Sequence, residues 1–168
     1  GEGPLWHPER RQLFWFDIPG KKLLSGNTEA ATAWKMPECA SAACWINHSE
    51  VMIASETALW RFNLDTQDLS ALVLLEADNP RNRSNDGRAD PQGGFWISTM
   101  SKTKEKGAGA IYRYYRGELR ELFAGITIPN AICFPPGGKS AHFSDTITGQ
   151  VMRVALDTQG WPVGLPQV

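Results

Sequence analysis

The chain contains a repeat of roughly 40–45 residues, which is the period of one β-propeller blade. Each copy opens with a polar residue, reverses at a turn and continues into a run rich in β-forming residues that ends on a polar residue. The polar residues that open successive copies are 39, 44 and 45 positions apart. They are Glu2, Ser41, Asn85 and Asn130, of which Ser41 opens the weakest copy. No stretch shows the sustained 3.6-residue apolar period of a helix, so the pattern predicts an all-β fold.

The repeat also predicts individual strands. Runs after the turn predict second strands at 13–17, 51–55, 95–99 and 141–145. Third strands are expected at 22–24, 58–63, 110–115 and 150–156. A fourth strand is expected at 118–123, after the turn at Arg116-Gly117, whereas the last copy is expected to lack one.

The 168 residues are therefore interpreted as a single, incomplete propeller domain spanning 1–168. Patterned sequence begins at Gly1 without an initiator Met, and Val168 follows the last copy without a closing element. An open array of blades leaves sheet edges bare, which favours aggregation. We therefore expect the chain to be a piece of a longer protein.

Composition excludes several partners. Seventeen Lys and Arg against eighteen Asp and Glu give a formal charge of −1, so the chain has no basic field for nucleic acid or an anionic membrane. The longest apolar run is far too short to span a bilayer. Three cysteines in no metal-finger spacing indicate a reducing compartment, predicted to be cytoplasmic, with packed thiols. They are Cys39, Cys44 and Cys133.

The residues that open the copies carry side-chain oxygens at one repeat position. First strands of propeller blades line the central channel, so these side chains are expected to point towards one axis. A single polar residue at such a place is usually a hydrogen-bonded turn residue, but that interpretation does not require all four to be oxygen donors. One carboxylate and two amides suit a hard cation such as Ca²⁺, or a borderline ion with added waters.

Several segments together resemble the SMP-30/gluconolactonase/LRE family over essentially the whole chain. They are Gly1-Glu2-Gly3-Pro4-Leu5-Trp6, Arg83-Ser-Asn85-Asp86-Gly87-Arg88, Trp96-Ile-Ser-Thr99-Met100, Ile128-Pro129-Asn130 and Phe143-Ser-Asp145-Thr146. The resemblance implies a six-bladed β-propeller, of which this chain would cover about four blades.

The resemblance also implies roles for single residues. Glu2 and Asn130 correspond to metal ligands of the family, and Arg83 and Asn85 to substrate contacts. The family's third ligand is an Asp in a Pro-Asp-Gly motif one blade further on, which would lie beyond Val168. That Asp is the first candidate for the general base, and Glu2 is the second. An acidic side chain that some members carry after the Thr-Met pair has no counterpart in Ser101-Lys102-Thr103-Lys104.

The resemblance implies a metal-dependent hydrolase of a sugar-type lactone, a small-molecule substrate. The divalent ion, which could be Ca²⁺, Zn²⁺, Mn²⁺ or Mg²⁺, would polarise the lactone carbonyl. Arg83 would donate paired hydrogen bonds to substrate oxygens, and the amide of Asn85 suits a sugar hydroxyl. Because one ligand would be missing, residues 1–168 alone are expected to be inactive.

Two other functions remain open. The same oxygens could hold Ca²⁺ without turnover, or the propeller could be an interaction scaffold whose function lies on its loops. Convergence of Glu2, Asn85 and Asn130 argues against the scaffold. Arg83 favours the lactonase over the calcium binder, because a guanidinium contributes nothing to cation binding but can bind an oxyanion or a polyol.

Overall fold

The structure is a computed structural model that describes residues 1–26 and 30–168, and all its regular elements are β-strands. Sixteen strands form four sheets of four. In each sheet the strands lie side by side in chain order, so the first strand always forms one edge. The described part of the chain contains no helix long and apolar enough to cross a membrane.

The sheets follow one another along the chain. Sheet 1 contains β1 (Glu2–His7), β2 (Gln12–Asp17), β3 (Lys22–Gly26) and β4 (Ala31–Lys35). Sheet 2 contains β5 (Ala40–Trp45), β6 (Glu50–Ser55), β7 (Ala58–Asn63) and β8 (Leu69–Leu74). Sheet 3 contains β9 (Asn82–Ala89), β10 (Phe95–Ser101), β11 (Gly109–Tyr115) and β12 (Glu118–Ile126). Sheet 4 contains β13 (Pro129–Cys133), β14 (Ser140–Asp145), β15 (Gln150–Leu156) and β16 (Pro162–Gln167).

Second and third strands lie where the repeat predicts them, and each residue that opens a copy lies within the first strand of a sheet. The prediction that the last copy lacks a fourth strand is wrong, because β16 pairs with β15. Two prolines, Pro162 and Pro166, obscured this strand in the sequence. Proline is tolerated at the first residue of a strand and on an edge, where its missing N–H removes no ladder bond.

Alternating side chains build two separate apolar cores. In β2, Phe14 and Phe16 face inwards and belong to one core, together with Leu23 and Ile53. The other core is centred on Trp96, which is fully buried. The other core members are Ile111, Ile132, Phe143 and Val154.

The side chains of Trp6 and Cys133 are exposed. Trp6 is 57% exposed, because it lies with Leu13 on an uncovered face of sheet 1. Cys133 is also exposed, which corrects the prediction that all three thiols are packed. The alternation along β13 explains this, since the neighbouring Ile132 takes the buried position. All three cysteines are free thiols.

The chain divides into two compact units, residues Gly1–Ser84 and Asn85–Val168. Each contains one of the two apolar cores. In the first unit, β1 packs beside β5. In the second, β13 packs against β10 and β11. The assignment of residues 1–168 to a single, incomplete domain stays a prediction.

A buried ion pair ties several elements of the second unit together. Arg113 Nε donates to Asp90 Oδ2 over 2.6 Å, and both side chains are fully buried. The other carboxylate oxygen accepts the Gly94 amide, so Asp90 also closes the turn between β9 and β10. The guanidinium lies 4.4 Å from the ring centres of Tyr115 and Trp161, where cation–π attraction adds to the pair.

This ion pair should contribute strongly to stability. We expect Asp90→Ala to lower the free energy of unfolding by about 3–5 kcal/mol, because the change leaves a buried, uncompensated guanidinium. Glu118→Ala is a matched control, since it removes the exposed Glu118–Arg120 pair and should cost about 0–1 kcal/mol. Urea unfolding of the two variants measures the difference. Equal losses would contradict the assignment of Asp90–Arg113 as a structural anchor.

Candidate functional site

The predicted site residues all lie on the first strands of sheets. Glu2 is the first residue of β1, and Asn130 is the second residue of β13. Arg83 and Asn85 both lie on β9. Glu2 and Arg83 belong to the first compact unit, whereas Asn85 and Asn130 belong to the second.

The first unit brings Glu2 and Arg83 close enough to interact electrostatically. Glu2 is exposed and Arg83 is half-buried. Burial lowers the pKa of the Arg83 guanidinium below its ordinary value, and the charges of Cys39, Glu2 and Glu56 oppose that shift. The side chain stays charged, since arginine is not deprotonated in proteins. Arg83 Nη1 also donates to the Ser84 carbonyl over 2.7 Å, which orients the guanidinium.

Ser41 occupies the corresponding repeat position on β5 but has a different role. Its side chain is completely buried, and its Oγ donates to Ser84 Oγ over 2.7 Å. Ser84 Oγ in turn donates to the Ala54 carbonyl. Ser41 therefore connects strands within the first unit, as expected for a structural hydrogen-bonding residue.

Both predicted metal ligands sit at the start of the same backbone irregularity. Between Glu2 and Leu5, β1 advances three residues while its partner β2 advances two. The same offset occurs in β13 between Asn130 and Cys133. Each irregularity is thus a β-bulge, which bends the strand and can redirect a side chain next to an active site.

In each bulge, the residue that follows the predicted ligand adopts a left-handed backbone. Gly3 and Ala131 both have a φ of 55°. A Cβ on Gly3 would overlap the carbonyl oxygen of Ser41, so only glycine fits there. Ala131 adopts the same φ with a side chain, at a conformational cost of about 1–2 kcal/mol.

The second unit connects Asn85 to the segment that carries Asn130. Asn85 Nδ2 donates to the Pro129 carbonyl over 3.0 Å, which fixes the orientation of the Asn85 amide. Asn130 is exposed, and its Oδ1 accepts the Ala131 amide over 2.9 Å. An amide oxygen has two lone pairs, so Asn130 Oδ1 can accept this hydrogen bond and still have a lone pair for an ion.

Two further polar residues hold this segment, and the sequence alone gave no role to them. Asp86 Oδ2 accepts the Ile132 amide over 2.7 Å. Ser98 Oγ accepts the Asp86 amide and lies within 3.0 Å of the Pro129 carbonyl as a donor. The Asn85-Asp86-Gly87 run has the composition of a turn but lies within β9. Only the position of Asn85 in the repeat signalled a different role for this run.

The donor chemistry suits a divalent ion with oxygen ligands. Glu2 supplies a carboxylate, and Asn130 supplies an amide oxygen. Among the residues that the structure describes, no three or more His, Cys, Asp and Glu side chains are grouped as a metal site. A thiolate or imidazole centre of the structural zinc type is therefore not present in that part of the chain.

Comparison with known proteins follows from this architecture. A family model described as "SMP-30/Gluconolactonase/LRE-like region" matches residues 1–167. The chain belongs to the SMP-30/gluconolactonase/LRE-like family. The resemblance predicted from the sequence motifs is therefore confirmed.

Individual members of the family are similar over nearly all of this chain. It is 39% identical to "Putative sugar lactone lactonase" of Rhizobium meliloti, covering 99% of this chain and 57% of that protein. It is 31% identical to regucalcin of Oryctolagus cuniculus, covering 95% of this chain and 56% of that protein. The chain thus spans little more than half the length of these relatives.

A solved structure shows the fold class. The crystal structure of regucalcin from Agrobacterium tumefaciens, described as a calcium-binding protein, matches with a TM-score of 0.97 at 40% identity. The match covers 100% of this chain and 58% of that one. The predicted fold class, an all-β chain carrying about four blades of a six-bladed propeller, is confirmed.

The bulge in β1 generates a direct test. Gly3→Ala should lower the thermal unfolding midpoint, because the new Cβ overlaps the Ser41 carbonyl and the left-handed backbone adds roughly 1–2 kcal/mol. Ala131→Gly is the matched control at the same φ and should leave the midpoint unchanged or raise it slightly, because relief of the left-handed strain is partly offset by the greater freedom of glycine in the unfolded chain. Thermal unfolding followed by circular dichroism measures both variants. Equal midpoints for Gly3→Ala and the unmodified protein would show that the contact with Ser41 does not constrain β1.

Proposed function

We propose that the full-length protein hydrolyses a sugar-type lactone in a reaction that requires a divalent metal ion. Relatives in the family are named as lactonases, among them the Rhizobium meliloti protein and a 6-deoxy-6-sulfogluconolactonase of Pseudomonas putida. One observation of this chain carries the proposal. The first unit places a half-buried guanidinium, Arg83, within electrostatic reach of the carboxylate of Glu2.

The charge of Arg83 favours catalysis over calcium storage. A cation beside a metal ligand opposes metal binding, because both carry positive charge. The same cation favours binding of a substrate with oxygen acceptors or developing negative charge. The guanidinium therefore favours a site that binds both an ion and a polar substrate over a site that binds an ion alone.

Glu2 and Asn130 are the proposed ligands in the described residues, and the ion would act as a Lewis acid on the lactone carbonyl. Asn85 and Arg83 would bind and orient the sugar hydroxyls, with Arg83 also facing the oxygen on which charge develops. Hydrolysis forms a bond between water oxygen and the carbonyl carbon and breaks the ring C–O bond. Among the proposed site residues of the described chain, Glu2 is the carboxylate that could accept the proton from water and return it to the ring oxygen.

Chelation tests the metal requirement. Treatment of the full-length protein with EDTA should abolish hydrolysis of gluconolactone-type substrates, and Ca²⁺, Zn²⁺, Mn²⁺ or Mg²⁺ added singly should restore it to different extents. Glu2→Gln should weaken metal binding and turnover together, because it removes the carboxylate charge that β1 supplies. Calorimetric titration and a pH-indicator lactonase assay provide the two readouts. Full activity after exhaustive chelation would contradict the metal requirement.

Unlike Glu2→Gln, a substitution of Arg83 should affect turnover without weakening metal binding. Arg83→Ala should lower kcat/KM about tenfold or more, the effect of losing hydrogen bonds to a charged group worth roughly 1.5–3 kcal/mol. Metal affinity should be retained or rise slightly, because Arg83 is not a ligand and its positive charge opposes binding of the ion. Arg81→Ala is the matched control, because Arg81 is an exposed arginine two positions away and should leave both quantities unchanged.

Two outcomes would redirect the proposal. If Arg83→Ala hydrolyses every lactone tested as well as the unmodified protein, Arg83 does not bind substrate. If the full-length protein binds metal tightly but hydrolyses no lactone in a broad panel, it is a non-catalytic calcium-binding protein. The second outcome has support in the description of the Agrobacterium tumefaciens structure as a calcium-binding protein.

A further inference from the structure

The proposed ligand Asn130 lies in a segment whose own strand pairing is incomplete. Ladder pairs join Asn130 to Ser144 and Cys133 to His142, so Ala131 and Ile132 lie in the bulge between them. Ala131 has a φ of 55°, which a residue with a Cβ adopts only when its surroundings compensate. The bulge therefore needs contacts from outside β13 and β14 to persist.

Asp86 supplies such a contact to the bulge. Its Oδ2 accepts the backbone amide of Ile132 over 2.7 Å, the length of a strong, charge-assisted hydrogen bond. Ile132 is 1% exposed, so water cannot readily replace this acceptor. An amide left unpaired at such a place costs roughly 1–3 kcal/mol, which would favour rearrangement of the bulge.

The other end of the segment is held by neighbouring side chains. The Pro129 carbonyl accepts from Asn85 Nδ2 and from Ser98 Oγ, each over 3.0 Å. Ser98 Oγ also accepts the Asp86 amide over 2.9 Å. Asn130 is thus flanked by two anchored backbone groups, the Pro129 carbonyl before it and the Ile132 amide after it.

We propose that Asp86 is a positioning residue for the metal ligand Asn130. Its carboxylate holds the Ile132 amide, and through it the bulge, so that the Asn130 side chain is presented in one orientation. This inference rests on the proposed function, because it takes Asn130 to bind the ion. Asp86 acts in it as a hydrogen-bond acceptor, and neither binds the ion nor accepts a proton from water.

If Asp86 acts as a hydrogen-bond acceptor, the expected order of metal affinity of two variants is the opposite of the order expected if its charge acts on the ion. Asp86→Asn keeps the shape and an acceptor oxygen but removes the charge, whereas Asp86→Glu keeps the charge but moves the acceptor by one methylene. We expect Asp86→Asn to bind Ca²⁺ and Mn²⁺ within about threefold of the unmodified protein, and Asp86→Glu to bind more weakly than Asp86→Asn. Asp86→Ala, which removes the acceptor, should weaken binding between about tenfold and a hundredfold, as expected for loss of a charge-assisted bond.

A double-mutant cycle tests whether Asp86 acts through Asn130. Metal affinity is measured by calorimetry on the full-length protein for Asp86→Ala, Asn130→Ala and the double variant. If Asp86 acts through Asn130, the double variant should bind no more weakly than Asn130→Ala, within about threefold. Asp78→Ala, which removes an exposed carboxylate, controls for the loss of negative charge alone and should leave affinity unchanged.

Each outcome decides between the possibilities. Weak binding by Asp86→Asn combined with strong binding by Asp86→Glu would overturn the inference and indicate that the charge of Asp86 acts on the ion directly, as would additive losses in the cycle. If Asp86→Ala does not fold, the order of the Asn and Glu variants still decides. If the unmodified protein binds none of the divalent ions, the proposed function fails and this inference with it. If it binds and hydrolyses while every Asp86 variant matches it, only this inference fails.

Discussion

Side-chain alternation along the first strand of each sheet is the constraint on which the candidate site depends. Successive residues of a strand point to opposite faces, so one additional residue exchanges the faces of everything that follows it. The bulges in β1 and β13 insert that residue directly after Glu2 and Asn130. The polar side chain can then leave the ladder at the strand start, while Ile132, within the bulge of β13, still reaches the core. A strand of only five or six residues thus both exposes the candidate ligand and contributes to the core.

The strands that could be predicted from the sequence are those with one buried face and one more exposed face. The second strand 12–17 and the third strand 58–63 are examples, because both are rich in aromatic and aliphatic residues, and in the former Phe14 and Phe16 are buried while Leu13 and Asp17 are exposed. The fourth strands β4, β8 and β16 have no fully buried residue and carry no such pattern. Edge strands are held mainly by backbone ladder bonds, which every residue except proline can form in full, and so their sequences contain little information.

The candidate site also contains residues that could be predicted from the sequence and contacts that could not. Glu2 and Asn130 could be selected because they occupy one position of a repeat, and Arg83 because the family resemblance covers its motif. The contact between Asp86 and the Ile132 amide could not, because it joins residues 46 positions apart and ends on a backbone group. No side chain at the receiving end identifies such a bond, and Asp86 reads as a turn residue beside Gly87.

Because these hydrogen bonds end on backbone groups, the position of the segment does not depend on the side chain that would bind an ion. Asp86 holds the Ile132 amide, and Asn85 and Ser98 hold the Pro129 carbonyl, so none of the three depends on which side chain occupies position 130. A mutation that replaces Asn130 by Asp or His would change the hardness and charge offered to an ion without removing any of these anchors. If Asn130 binds an ion as proposed, a single substitution at position 130 would change the metal preference of the site while the hydrogen bonds that hold its backbone stay in place.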